Sequence, residues 1–304
     1  MVKHIIESQT FTPEFLIKIF KRADELRLKP KQTLQGKVLT TLFYEPSTRT
    51  RLSFEAAMLK MGGSVMGTEN AKEFSSVAKG ESMEDSIRVI ASYSDVIVMR
   101  HSEEGSAKTA SQVSSVPIIN GGDGKGQHPT QALLDMYTIY RELGRVDNLK
   151  IAMVGDLSSG RTVRSLCYLL GKFQNMEIIF VSPENLKMRE DIKDYLVNHK
   201  IAFREETSLE KVLPIVDAIY MTRIQKERIS IEDYEKAKGK FVINDLNFNL
   251  IRPDAIIMHP LPHVEEISLP LEVEKNDKRV CYFRQAENGL YIRMALLEDV
   301  LLNT

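Results

Sequence analysis

The sequence predicts an α/β protein of two doubly wound domains, each a mainly parallel sheet flanked by helices. Its 304 residues suit two domains at roughly 150 residues each. Short apolar runs bounded by turn signals alternate with amphipathic stretches from one end to the other, which is the pattern of βαβ units. The strand candidates fall into two sets, with one long helical stretch between them and another after the second.

A first helix is marked by Thr12 as cap, Pro13 in the first turn and Glu14, with Phe15, Leu16, Ile19, Phe20 and Ala23 on one face. Strands are expected at 38–43, 64–66, 95–99 and 116–119, with helices at 48–61, 82–93 and 128–143, the last stopped by Gly144. These strands make one sheet. A second sheet is expected from 151–154, 177–181, 201–204, 218–221, 241–243 and 256–258. The final helix, about 286–302, follows both sets and is predicted to return to the first domain. The domains are therefore 1–130 plus 286–304, and 131–285. No internal repeat, heptad array or low-complexity tract stands out.

Composition narrows the function. With 43% hydrophobic and 27% charged residues a buried core is available, and disorder is excluded as the main state. Forty-one Lys and Arg against 42 Asp and Glu leave a net charge of -1, with no global field for nucleic acid or an acidic membrane. Neither partner is expected. No run of 18 apolar residues occurs, and the start Met1-Val-Lys-His-Ile-Ile lacks the features of a signal peptide, so a cytoplasmic protein is expected. Cys167 and Cys281 fit neither a disulfide framework nor a zinc site; both are expected to pack in apolar helices.

Ligands of open parallel sheets bind beyond the carboxyl ends of strands. After the first strand, Ser47, Thr48, Arg49, Thr50 and Arg51 open a helix, where free N–H groups, hydroxyls and guanidiniums suit a phosphoryl group. Arg100 follows another strand, and His128-Pro129-Thr130-Gln131 opens a helix after a glycine-rich loop, 121–126. A first-turn His feels the positive end of the helix dipole and is expected to donate as neutral imidazole. The polar stretch 68–82, with Ser75 and Lys79, is long enough to suggest a functional loop. In the second half, 155–162 has Walker A spacing with Arg161 at the lysine position. No second acidic motif for magnesium accompanies it, and Arg161 as a carboxylate ligand fits better than a nucleotide-binding switch. Arg223 sits at another strand end and pairs with Arg161 as a second cationic fork.

Together Ser47-Thr48-Arg49-Thr50-Arg51, His128-Pro129-Thr130-Gln131 and His259-Pro260-Leu261-Pro262 resemble the carbamoyltransferase family over essentially the whole chain. Arg223, Gln225, Lys226, Glu227 and Arg228, with His-Pro-Leu-Pro, resemble its aspartate-specific branch; the Ser-Met-Gly and His-Cys-Leu-Pro of ornithine enzymes do not occur. The resemblance implies an active site in an interdomain cleft. There the carbamoyl group of carbamoyl phosphate passes to the α-amine of L-aspartate, an early step of pyrimidine synthesis, with no metal or organic cofactor. Ser47, Thr48, Arg49, Thr50, Arg100, His128 and Gln131 would bind carbamoyl phosphate, joined by Ser75 and Lys79 of a neighbouring subunit in a homotrimer. Arg161, Arg223, Gln225, Leu261 and Pro262, with Lys79, would bind aspartate. Arg49, Thr50, Arg100 and His128 would act on the carbamoyl group, and Glu45 would pair with Arg161 and Arg228 on closure. The resemblance allows a separate regulatory chain. One departure is His263, where related chains often carry Arg.

Overall fold

A computed structural model describes residues 3–69, 71, 80–224 and 239–302. The chain divides into two compact units, Met1–Leu134 with Glu287–Thr304, and Asp135–Ala286.

The first unit holds four strands: β1 (Val38–Phe43), β2 (Ser64–Glu69), β3 (Val96–His101) and β4 (Ile118–Asp123). They lie in the order β2-β1-β3-β4, every pair parallel. Near-continuous burial along β1, β3 and β4 fits a sheet covered on both faces. Helix α1 (Pro13–Leu28) starts where the Thr12 hydroxyl accepts from the Phe15 N–H, and it buries Leu16, Ile19, Phe20, Ala23 and Leu26. Helix α2 (Thr48–Lys60) follows β1, and α3 (Met83–Ala91) is capped by Ser82. Helix α4 (Ser106–Val113) was not expected from the sequence: it buries only Ser106, Ala107 and Ala110, so it carries no large apolar stripe.

Strand boundaries also move. β2 runs on through Gly67 to Glu69, β3 runs on to His101 and so takes in Arg100, which was expected to follow it, and β4 takes in Gly121, Gly122 and Asp123, which the sequence places in a loop. Gly121 belongs inside the strand because a Cβ there would lie 3.1 Å from the Met99 carbonyl oxygen of the neighbouring strand.

Helix α5 (Pro129–Leu143) leads into the second unit and α9 (Tyr282–Leu302) leads out of it. Within the first unit α9 is tied down by acidic groups: Glu298 accepts from Arg22 at 2.9 Å and Thr33 at 2.7 Å, and Asp299 from Lys18 at 2.6 Å.

The second unit has five parallel strands in the order β10-β8-β5-β6-β7. They are β5 (Lys150–Val154), β6 (Glu177–Val181), β7 (Ala202–Glu206), β8 (Ala218–Met221) and β10 (Ile256–Met258). Helices α6 (Arg161–Leu170), α7 (Glu190–Asn198) and α8 (Leu271–Asn276) accompany them. Ala152, Val154, Ile179, Val181, Ile219 and Ile257 pack with Leu209, Val212 and Leu213 into one core. The stretch expected as a sixth strand of this sheet forms β9 (Ile243–Asn244), which pairs instead with β11 (Ile267–Ser268) in a separate two-stranded ladder. Its apolar residues signalled burial correctly, since Phe241 and Ile243 are core, but burial does not fix the strand partner.

Both cysteines are buried and free. Burial pushes both thiols up. Cys167 lies in α6, whereas Cys281 lies just before α9 rather than in a helix, its thiol donating to the Ile257 carbonyl at 3.1 Å. Among the described residues, no helix is long and apolar enough to cross a membrane.

Candidate active site

The end of β1 delivers Glu45 and Ser47 to the start of α2. Ser47 occupies the cap position without capping through its side chain. Its hydroxyl instead accepts from Arg100 Nη1 at 3.3 Å, at the end of the neighbouring strand β3. Arg100 Nε lies 3.4 Å from a Glu45 carboxylate oxygen. Thr48 and Arg49, in the first turn of α2, are exposed. Arg51, which the sequence grouped with them, is committed to its own helix: its Nε donates to Glu55 at 2.7 Å, and Glu55 also accepts from Thr41 at 2.8 Å.

Thr50 faces inward at 5% exposure and His128 at 4%. Thr50 Oγ1 stands 3.3 Å from His128 Nε2, and Thr130 Oγ1 3.4 Å from its Nδ1. His128 precedes α5 rather than opening it, because Pro129 takes the first helical position, where its missing N–H costs nothing. The His128 carbonyl accepts from the N–H groups of half-buried Gln131 (3.0 Å) and Ala132 (3.1 Å). Two adjacent strand ends and one helix start therefore assemble hydroxyl, imidazole and guanidinium donors around the first helix terminus. This is the donor set of a phosphoryl or carbonyl oxygen site. Thr130 joins this set through its contact with His128.

In the second unit three adjacent strands, β5, β8 and β10, end side by side. Beyond β5, Asp156 Oδ1 accepts from the Ser158 hydroxyl at 2.9 Å and the Ser159 N–H at 3.0 Å, a tight turn that leads to half-buried Arg161 at the start of α6. Beyond β8, Thr222 returns both its N–H and its hydroxyl to the Val154 carbonyl, each at 2.8 Å, and half-buried Arg223 follows. Two guanidiniums thus start from neighbouring strand ends, an arrangement suited to a dicarboxylate. The loop glycine has a packing cause: Gly155 has φ +114°, and a Cβ there would lie 2.2 Å from the Thr222 carbonyl oxygen. A phosphate is not needed to explain it, which weakens the nucleotide reading.

Beyond β10 come His259, Pro260, Leu261 and Pro262. The Leu261-Pro262 bond is cis and Leu261 has φ +56°. His259 Nδ1 accepts from the Leu261 N–H at 2.7 Å, and its Nε2 lies 2.8 Å from Glu266. Burial acts to raise the Glu266 carboxyl, but the His259 bond and backbone N–H groups outweigh it, and its pKa falls below the ordinary value. No local sequence pattern marks Glu266 as a partner of His259. His263 pairs with Glu274 at 3.4 Å and packs edge-on against Tyr282. Ser75, Lys79, Gln225 and Arg228 lie outside the described residues.

Comparison with known proteins gives a consistent result. The family model described as "Aspartate/ornithine carbamoyltransferase, carbamoyl-P binding domain" matches residues 3–141, and that for the "Asp/Orn binding domain" matches 147–300. The chain is 52% identical to aspartate carbamoyltransferase 3, chloroplastic, of Pisum sativum, covering 98% of this chain and 77% of that protein. It is 47% identical to the aspartate carbamoyltransferase catalytic subunit of Methanocaldococcus jannaschii, covering 99% and 98%. The solved catalytic subunit from M. jannaschii superposes with a TM-score of 0.92 over 100% of this chain and 99% of that one, at 47% identity. Aspartate transcarbamoylase of Trypanosoma cruzi, in complex with carbamoyl aspartate and phosphate, gives a TM-score of 0.90 at 37% identity over 97% and 94%.

Proposed function

We infer the activity from a firm premise: the chain belongs to the aspartate/ornithine carbamoyltransferase family. It is an aspartate carbamoyltransferase, which transfers the carbamoyl group of carbamoyl phosphate to L-aspartate in pyrimidine synthesis. The observation that carries the reading is the pair of donor clusters, one in each unit: Ser47, Thr50, Arg100 and His128 in the first, Arg161 and Arg223 on adjacent strand ends in the second. The T. cruzi relative has been solved with carbamoyl phosphate and aspartate, and with carbamoyl aspartate and phosphate, the two sides of one reaction.

In the mechanism we propose, Ser47, Thr48, Arg49, Thr50, Arg100 and Gln131 hold carbamoyl phosphate through the α2 terminus and its charges. Arg161, Arg223, Gln225 and the Leu261-Pro262 backbone hold the two carboxylates of aspartate. Thr50, Arg100 and His128 polarise the carbamoyl oxygen. The α-amine attacks the carbamoyl carbon, a C–N bond forms, the tetrahedral intermediate collapses with cleavage of the C–O bond to phosphate, and the departing phosphate takes the amine proton. Removing one donor aimed at the developing oxyanion should cost about 2.7–4 kcal/mol. Holding two anions at contact distance supplies much of the rest. No step calls on a metal or organic cofactor, and none needs a regulatory chain.

We also propose a cytoplasmic homotrimer in which Ser75 and Lys79 complete a neighbouring copy's carbamoyl phosphate site and Lys79 also reaches aspartate. Glu45 would exchange its Arg100 contact for Arg161 and Arg228 when substrates bind. Turnover of aspartate and ornithine by the purified chain, measured side by side with its mass in solution, tests the activity: aspartate alone should be carbamoylated. Mixed oligomers of Arg49→Ala and Lys79→Ala chains test the sharing. Activity should reappear on mixing, and mixed trimers as inactive as their parents would refute it.

A further inference from the structure

Asp135, on α5, is wholly buried. A carboxylate taken out of water is costly unless its oxygens are bonded, and both are. Oδ2 accepts from the Tyr220 hydroxyl at 2.7 Å and Oδ1 from Gln285 Nε2 at 2.6 Å. The bond to Asp135 fixes which way the Gln285 amide faces, so its oxygen is left to accept the His259 backbone N–H at 2.8 Å. His259 then accepts the Leu261 N–H on Nδ1, which leaves the proton of its neutral ring on Nε2, beside Glu266.

This network connects two of the three substrate-bearing strand ends. Tyr220 belongs to β8, three residues before Arg223, and the His259-Leu261 turn follows β10. Leu261 keeps a left-handed backbone that a leucine rarely adopts. Such a conformation persists only where its surroundings over-determine it. Two N–H bonds, at His259 and Leu261, do this. A packed apolar pair would fill the same space at less desolvation cost, but it could not specify both the turn and the strand end together.

We propose that Asp135 and Gln285 are positioning residues for aspartate: one buried carboxylate, through Tyr220 and through Gln285, sets the register between Arg223 and the Leu261-Pro262 backbone. This rests on the aspartate-binding reading of those segments. The test is steady-state kinetics on the full chain carrying Gln285→Leu, of similar size but with neither donor nor acceptor. The aspartate KM should rise about tenfold, while the carbamoyl phosphate KM stays within twofold. Tyr220→Phe, nearly isosteric, should give the same split with a smaller rise of about threefold, and it decides the matter if Gln285→Leu does not fold. An unchanged aspartate KM, or equal rises in both constants, overturns the proposal. Absence of aspartate turnover in the unmodified chain removes the functional reading and this proposal with it, whereas turnover with an unshifted variant removes the proposal alone.

Discussion

Thr50→Val tests the donor cluster most sharply. Valine keeps the methyl that lies 3.5 Å from the place a Gly121 Cβ would occupy, so the change removes a hydroxyl without opening a cavity. Two losses follow. The Thr50 contact with His128 is long at 3.3 Å, so stability should fall by about 1 kcal/mol or less, roughly 2–4 °C in Tm for a unit of this size. If the hydroxyl donates to the carbamoyl oxygen in the transition state, its loss costs about 2.7–4 kcal/mol, or 10²–10³ in kcat. The assay is turnover with both substrates saturating, beside a melting curve, and Thr50→Ser should restore most of the activity. A valine variant that melts normally and keeps kcat within about fivefold of the unmodified chain would refute the assignment.

Arg223→Ala should raise the aspartate KM or reduce turnover severely and leave the carbamoyl phosphate KM nearly unchanged; near-normal saturation by aspartate would count against the dicarboxylate site. Gly155→Ala combines a φ of +114° with a Cβ 2.2 Å from the Thr222 carbonyl oxygen; backbone strain alone should cost about 1–3 kcal/mol, read as a fall of several degrees in Tm. Burial acts to raise the Glu298 and Asp299 carboxyls, but bonds from Arg22 and Thr33, and from Lys18 and Lys3, bring both below their ordinary values. Stability from these pairs is therefore complete above the ordinary carboxylate range and is lost as pH falls through the depressed values of the two groups. The denaturation midpoint of Asp299→Asn should fall less steeply with acid than that of the unmodified chain, and parallel curves would contradict this.

Local signals made much of the fold legible. Thr12, Pro13 and the Leu16, Ile19, Phe20 and Ala23 face define α1 without tertiary help, and the apolar run of β1 lies buried throughout from Leu39. Helix α4 was invisible because Ser106, Ala107 and Ala110 bury little area, and propensity without an apolar face is a weak signal. Glycine misled in β4, where Gly121 serves close approach rather than a turn. The site divided in the same way. Ser47, Thr50 and Arg100 could be placed because strand ends are where ligands bind, whereas Asp135 meets Gln285 across 150 positions and no spacing rule reaches that far. Arg51 looked equivalent to Arg49, but its contact with Glu55 and its half-buried position set it apart.

In the proposed reaction the donor cluster of the first unit and the paired arginines of the second serve one chemical step. N-(phosphonacetyl)-L-aspartic acid, present in one of the T. cruzi structures, carries a phosphonate and an aspartate on a single skeleton and so addresses both clusters at once. Its binding should be measured calorimetrically on the unmodified chain, on Arg100→Ala and on Arg223→Ala. At 100 times its Kd the ligand should add about 2.7 kcal/mol to the stability of the unmodified chain. Binding should be saturable at one equivalent per chain, with affinity lost by tenfold or more in each variant separately. If either variant bound the compound as tightly as the unmodified chain, its cluster would lie outside the reacting site and the two clusters would not serve one reaction.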